Sequence, residues 1–279
     1  MKAPVIGMSA FASLLLFLLP IPGLTQFLDG ECGIQIENSS SSPWIAFLHT
    51  TDLVFVCVGT LITNKLVLTA AHCIMSNAQL TARLGEFTGS REENNTFPVE
   101  HQVKKLFRHS FYDMDTYAND IAILELATYV VYTENIRPIC ILWDPTWKQY
   151  IDSIQVLSGP VWGKAQDEDE SNGLRMLHIR RQPPEMCTTM LGTTLNNQFC
   201  AGNSESNLCN IDCSSPLGAM IPYKNTHRFI QIGIATTNQR CNNPSVYTDV
   251  LFHIDFILRV WRYYDNGQGE PIPSPATRV

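Results

Sequence analysis

The chain has 279 residues, with 19 Lys and Arg against 26 Asp and Glu and a formal net charge of −7. Apolar residues make up 45% and charged residues only 16%, which excludes a charge-rich disordered chain. With no basic excess to neutralise phosphates, a nucleic-acid binder is excluded too, and the length suits one large domain or two small ones with a sizeable core.

Lys2 is the sole charge before Asp29, and residues 5–19 are dominated by Leu, Phe and Ala before Pro20, Pro22 and Gly23. A basic start, a short apolar run and a helix-breaking exit describe a secretory signal peptide. As a helix, those residues would span about 22 Å at ~1.5 Å each, short of the ~30 Å hydrocarbon core. Residues 1–25 are therefore read as a signal peptide with cleavage near Gly23 to Gln26, and the remainder as a secreted, extracellular chain in an oxidising space.

The nine cysteines, Cys32, Cys57, Cys73, Cys140, Cys187, Cys200, Cys209, Cys213 and Cys241, agree with that compartment. An odd number leaves at least one thiol unpaired or bonded to another chain, and sequence alone permits 105 connectivities for eight of them. No Cys/His spacing fits a zinc site, so a disulfide framework is expected, with no metal and no cofactor. Glycosylation sequons begin at Asn38 and Asn94, both in polar stretches.

From residue 44 onward the pattern is short apolar runs separated by turn residues: 44–48, 54–62, 66–68, 121–126, 217–221, 229–234 and 245–248. Many short strands at such spacing predict an all-β sandwich or pair of barrels. The acidic run 167–170 reads as a solvated loop. Val250, Leu251, Ile254, Ile257, Leu258 and Trp261 recur at helical spacing, with Thr248 or Asp249 as N-cap, which predicts one amphipathic helix docked on the β core. The tail, residues 265–279, holds Pro271, Pro273 and Pro275 and is read as disordered.

Three stretches carry the chemistry together. Leu68-Thr69-Ala70-Ala71-His72-Cys73 ends a strand in a His-Cys pair, Asn119-Asp120-Ile121-Ala122-Ile123-Leu124 opens one with a carboxylate, and Cys209-Asn210-Ile211-Asp212-Cys213-Ser214-Ser215-Pro216-Leu217 leads into a third. In this order they resemble the chymotrypsin/trypsin-like serine protease family, and most of all its secreted insect members and their non-catalytic homologues. Pro43-Trp44, Asn135-Ile136-Arg137-Pro138, Trp162-Gly163-Lys164, Phe199-Cys200-Ala201-Gly202 and Pro244-Ser245-Val246-Tyr247-Thr248 match further landmarks, so the resemblance covers residues 32–264.

The resemblance implies two antiparallel six-stranded β-barrels with a C-terminal α-helix, and disulfides Cys32–Cys140, Cys57–Cys73, Cys187–Cys200 and Cys209–Cys241. His72 would take the general-base position and Asp120 the position that orients it. The ninth cysteine, Cys213, stands where the family has its nucleophilic serine, in a degenerate Gly-Asp-Ser-Gly-Gly-Pro pattern that here reads Ile211-Asp212-Cys213-Ser214-Ser215-Pro216. A thiol beside an imidazole can serve as a nucleophile. Ile211 and Cys213 occupy the oxyanion-hole positions, however, and a β-branched residue at positive φ is an outlier. Losing one oxyanion donor costs roughly 10²–10³ in rate, about 2.7–4 kcal/mol.

Other departures point the same way. No Lys or Arg lies between Lys2 and Lys65, so the family's activating cleavage ahead of an Ile-Val-Gly-Gly terminus has no counterpart there. Asp212, which would pair with the freed ammonium, is expected to find another partner or to stay in a zymogen-like loop, because burying it alone is costly. The specificity-pocket positions carry Asn207, Thr236, Asn238 and Ser245, and Val58 and Val161 replace glycines.

The expectation is a secreted, catalytically inactive homologue acting by binding, a regulator or decoy among extracellular proteases, inhibitors and substrates. His72 and Asp120 would then brace the seam between the two barrels without chemistry. The alternative is an active endopeptidase with a His72–Asp120–Cys213 triad; a third reading has Cys213 joining a covalent dimer.

Overall fold

The computed structural model describes residues 26–34, 42–74, 78–85, 98–163, 173–187, 196–202, 214–236 and 244–265. They form two closed antiparallel β-barrels of six strands each. Barrel 1 consists of β1 (Ile45–Thr50), β2 (Phe55–Leu61), β3 (Leu66–Thr69), β4 (Leu80–Leu84), β5 (Val99–Arg108) and β6 (Ala122–Leu126). Its hydrogen-bonded order is β1-β2-β3-β6-β5-β4. Barrel 2 consists of β7 (Val156–Gly163), β8 (Gly173–Gln182), β9 (Gln198–Ala201), β10 (Pro216–Tyr223), β11 (Thr226–Ala235) and β12 (Ser245–Asp249), in the order β10-β11-β12-β9-β8-β7. A short helix α1 (Lys148–Ser153) leads into barrel 2 and α2 (Ile254–Asp265) follows it. Among the described residues no helix is long and apolar enough to cross a membrane.

The strands form where the sequence supplies apolar side chains for a barrel interior. β3 and β6 are buried at every position, and β4 alternates Leu80, Ala82 and Leu84 inward. β5 is the exception in composition: only His101, Val103 and Phe107 are buried, and the register shifts between Val103 and Lys105. The helix starts four residues after its expected onset at Val250. The Val250 N–H is spent on Ile232 O at 3.0 Å, extending barrel 2, and the Asp249 carboxylate accepts from Phe252 N at 3.0 Å. Asp249 thus caps the turn before the helix, and Thr248 caps nothing.

Two contacts lock the barrels together at their cores. Trp44, fully buried ahead of β1, stacks on Phe229 of β11 with ring centroids 4.9 Å apart, and the Thr60 hydroxyl of β2 donates to Gln231 Oε1 of β11 at 2.7 Å. The N-terminal segment lies across the same strand. Gly33 donates to Pro138 O at 2.8 Å and accepts from Phe229 N at 2.9 Å; at φ 66°, a Cβ there would sit 2.6 Å from Phe229 O, so only glycine fits. Disulfides Cys32–Cys140, Cys57–Cys73 and Cys187–Cys200 form as the resemblance implied, whereas the Cys209–Cys241 pair lies outside the described residues.

α2 crosses back from barrel 2 to barrel 1. Ile254, Ile257 and Val260 are buried, and the Phe107 ring of β5 meets Tyr263 and Tyr264 at 6.2 and 5.9 Å. The anchor is polar: Glu125, 3% exposed in β6, accepts from Tyr264 Oη at 2.8 Å and Lys104 Nζ at 3.1 Å. A buried carboxylate needs such donors to remain ionised, and the same contact pushes the Tyr264 phenol, first by burial and then by the carboxylate, well above its ordinary value. Tyr264→Phe should therefore cost about 1.5–3 kcal/mol, the range for a hydrogen bond to a charged group. Lys104→Met, at a largely exposed ammonium, should cost less than 1 kcal/mol. Urea unfolding of the two variants checks the ranking.

Candidate functional site

His72 and Asp120 meet because of strand register. In the β3–β6 pair Thr69 faces Ala122, so two further residues along each chain bring the segments around 71 and 120 opposite one another. After β3 the chain turns through a 3-10 turn, Ala71–Cys73, tied to β2 by the Cys57–Cys73 disulfide. His72 binds the carboxylate twice: its backbone N–H donates to Asp120 Oδ1 at 2.9 Å and ring Nδ1 lies 2.7 Å from Oδ2. Asp120 is fully buried and the His72 side chain 17% exposed. A carboxylate accepts only, so Nδ1 carries the proton, and in a neutral ring Nε2 is then the basic nitrogen.

The pair itself lies wholly within barrel 1. Barrel 2 reaches it at the Asp120 backbone and through neighbouring groups. The Thr248 hydroxyl of β12 donates to the Asp120 carbonyl at 3.1 Å. Asn119, at φ 56°, accepts on Oδ1 from Asn197 Nδ2 at 2.9 Å, has His253 Nε2 3.2 Å from the same oxygen, and donates to Phe111 O at 2.9 Å. Gln198 Nε2 donates to Tyr117 O at 2.9 Å. Four barrel-2 or helix-entry residues therefore hold the loop that delivers Asp120.

Aromatic rings cover the pair on the barrel-1 side. Tyr117 meets the His72 ring edge-on at 6.0 Å, and the Tyr112 phenol is pushed up to about 12 by burial and then by the Asp120 charge. Tyr112, Tyr117, Asn197 and the hydroxyl role of Thr248 had no signal of their own in the sequence.

On the barrel-2 side, Ser214 is 1% exposed and adopts φ 67°, a conformation that costs a non-glycine residue roughly 1–2 kcal/mol. Its N–H donates to Ala235 O at 2.9 Å, its hydroxyl donates to Val58 O, and Val58 N donates back to Oγ at 3.1 Å. Of the specificity-pocket positions, Thr236 is buried with its hydroxyl donating to Val246 O at 2.8 Å, and Ser245 is buried in β12. Val58 is buried in β2, and the backbone of Val161 pairs with Arg175. Asn207, Ile211, Asp212, Cys213, Asn238, Cys209, Cys241, Asn38 and Asn94 lie outside the described residues. Ligand atoms of Cys57, His72 and Cys73 lie within 4.8 Å of one another, but the two sulfurs are joined in a disulfide and are not thiolate donors.

Two antiparallel six-stranded barrels with a buried His–Asp pair beside their seam define the architecture of a chymotrypsin-like protein. The Trypsin family model matches residues 32–257, and the chain belongs to the trypsin-like serine protease family. It is 31% identical over 220 residues to the proclotting enzyme of Tachypleus tridentatus, covering 72% of this chain and 57% of that protein. It is 29% identical over 268 residues to the CLIP domain-containing serine protease B15 of Anopheles gambiae, covering 86% and 72%. The chain thus spans little more than half of the first relative's length. The crystal structure of the Drosophila Grass clip serine protease of the Toll pathway superposes with a TM-score of 0.70 at 25% identity, covering 86% of this chain and 74% of that one.

Two histidines meet where the Asp120 loop contacts the helix entry. The His109 and His253 rings lie 5.5 Å apart, and His109 also meets Phe256 at 5.2 Å. His109 is held down at about 4 by burial, then by His253 and Arg259; burial also lowers His253, against the Asp249 carbonyl that receives its Nδ1–H at 2.7 Å. Because the folded values lie below the unfolded 6.5, their contribution to stability is complete above that pH. It is lost as pH falls toward about 4, where the unfolded chain has already taken up the protons. Urea unfolding should show decreasing stability between about pH 7 and pH 4, and His109→Asn should flatten that decline.

Proposed function

We propose that this protein is a secreted, catalytically inactive member of its family that acts by binding, as a regulator or decoy in extracellular proteolysis. The observation that carries the reading is a complete His72–Asp120 pair, with Nδ1 2.7 Å from Oδ2, in a chain whose nucleophile segment reads Ile211-Asp212-Cys213-Ser214. Ile211 stands where the family uses glycine to aim an N–H at the oxyanion, and β-branching disfavours that conformation. The absence of Lys and Arg between Lys2 and Lys65 supports the reading further, since no basic residue is available there for an activating cut. Relatives named as a proclotting enzyme and as clip serine proteases favour partners drawn from proteolytic systems: proteases, their inhibitors or their substrates. The apolar run at residues 5–19 and the disulfides support an extracellular setting.

A second reading, a cysteine-type endopeptidase, is favoured by one feature: the His72–Asp120 geometry leaves Nε2 the basic nitrogen, as general-base activation of a Cys213 thiol requires. The two readings separate on treatment of the purified protein with a thiol-reactive peptidyl electrophile. The binding reading expects no peptide turnover and no labelling of Cys213 that depends on His72. Stoichiometric labelling abolished by His72→Ala, or hydrolysis of any peptide, would establish the enzyme instead. Replacing Ile211→Gly, Cys213→Ser, Ser214→Gly and Ser215→Gly together should still give no turnover, because no basic residue between Lys2 and Lys65 permits the cut that would free an ammonium for Asp212.

A further inference from the structure

We infer that Ser214 is a positioning residue, a side-chain clasp that fixes its own backbone, next in sequence to Cys213, against barrel 1 in the uncleaved chain. Three observations converge on it. Ser214 keeps φ 67° although it has a Cβ, so its surroundings over-determine a backbone conformation that it would not choose alone. Its hydroxyl exchanges two hydrogen bonds with one residue of the other barrel, accepting from Val58 N at 3.1 Å and donating to Val58 O. Behind it, Ser214 N donates to Ala235 O at 2.9 Å and Ala235 N donates to Ser215 O at 3.0 Å, so the turn is also fastened to β11.

Val58 is more than an acceptor of convenience. Its carbonyl also receives the Thr69 hydroxyl of β3 at 2.9 Å, three residues before His72. Its chain neighbour Cys57 is bonded to Cys73, the residue after His72. Val58 therefore joins the two sides of the seam: Cys213 is covalently next to Ser214, Ser214 grips Val58, and Val58 is linked to the segment that carries His72 by its own hydrogen bond to Thr69 and by the disulfide of the adjacent Cys57. Ser214 and Val58 are both buried, so water does not compete for these bonds. The clasp deepens the binding reading and rests on it only for taking the uncleaved chain as the working form.

The test uses the full secreted chain, with mass spectrometry confirming that it is uncleaved. Ser214→Gly removes the hydroxyl but tolerates φ 67°; Ser214→Ala removes the hydroxyl and keeps the Cβ. Amide hydrogen exchange is read at Val58 and, for comparison, at Ile123 and Leu124 in β6. The rate of Cys213 alkylation by iodoacetamide is followed against pH. In both variants Val58 should exchange at least tenfold faster with the β6 amides unchanged within twofold, and the pH profile of Cys213 alkylation should shift. Val58 exchange within twofold of the native protein in Ser214→Gly overturns the clasp. So does an alkylation profile that superimposes on the native one, or acceleration spread equally over β6, which would mean a merely global loss of stability. If Ser214→Ala does not fold, Ser214→Gly alone carries the decision. Peptide hydrolysis by the native chain would overturn the binding reading and leave these exchange results standing, so the two failures are distinguishable.

Discussion

A carboxylate with no solvent exposure is the constraint around which the first barrel is arranged. Asp120 cannot be ionised in the interior without donors close by, and both of its oxygens find them on one residue, His72, through backbone and ring. Meeting that requirement fixes the β3–β6 register, the 3-10 turn after β3 and the disulfide that holds the turn to β2. It also explains the irregular approach to Asp120. Tyr117 and Asn119 both take left-handed conformations, which Asn tolerates better than most residues and Tyr does not, and the second barrel grips both by polar contacts.

The seam is built on a different principle from the barrel interiors. Inside each barrel, alternating apolar side chains pack with no directional demand. Across the seam, directional polar contacts are added to a shared apolar core: Thr60 to Gln231, Thr248 to the Asp120 carbonyl, Asn197 to Asn119 and Ser214 to Val58, beside the Trp44–Phe229 stack. Hydrogen bonds between buried groups fix relative orientation more tightly than apolar contact does, because a small displacement leaves donors and acceptors unmatched. α2 adds a second fastening, since it leaves barrel 2 but ends with Tyr264 on Glu125 of barrel 1.

Much of this was legible in the sequence where a strand is buried. The runs 44–48, 54–62, 66–68, 121–126, 217–221, 229–234 and 245–248 announce themselves because barrel interiors need consecutive or alternating apolar residues. β4, β5, β7, β8 and β9 did not: β4 and β9 are only five and four residues long, β5 exposes Glu100, Lys104 and Lys105, and the described part of β8 buries little beyond Ile179. The motif residues His72 and Asp120 could be read from their neighbours, but their supporting shell could not. Tyr112, Asn197 and His253 are brought near Asp120 by topology, between positions up to 134 residues apart, and no local pattern records such a meeting. Ser214 was visible only as a departure from glycine; that its hydroxyl clasps the other barrel depends on where Val58 lies.

On the proposal that the chain acts by binding, these facts bear on why it would keep a His–Asp pair. Removing either partner leaves the other with an unmet demand: without His72 a fully buried carboxylate loses its ring donor, and without Asp120 the ring and backbone N–H of His72 lose their acceptor. Breaking one half of a buried pair costs more than never having built it, about 3–5 kcal/mol against a net worth near zero. That asymmetry is enough to retain both residues through stability alone. The nucleophile segment is under no such restraint. A cysteine in place of serine removes no partner from a buried charge, and glycine can become serine at position 214 where the new hydroxyl finds both a donor and an acceptor on Val58. On that proposal, substitutions accumulate on the barrel-2 side of the seam and spare the pair on barrel 1, and Ile211, Cys213, Ser214 and Ser215 are where this sequence departs from the family pattern.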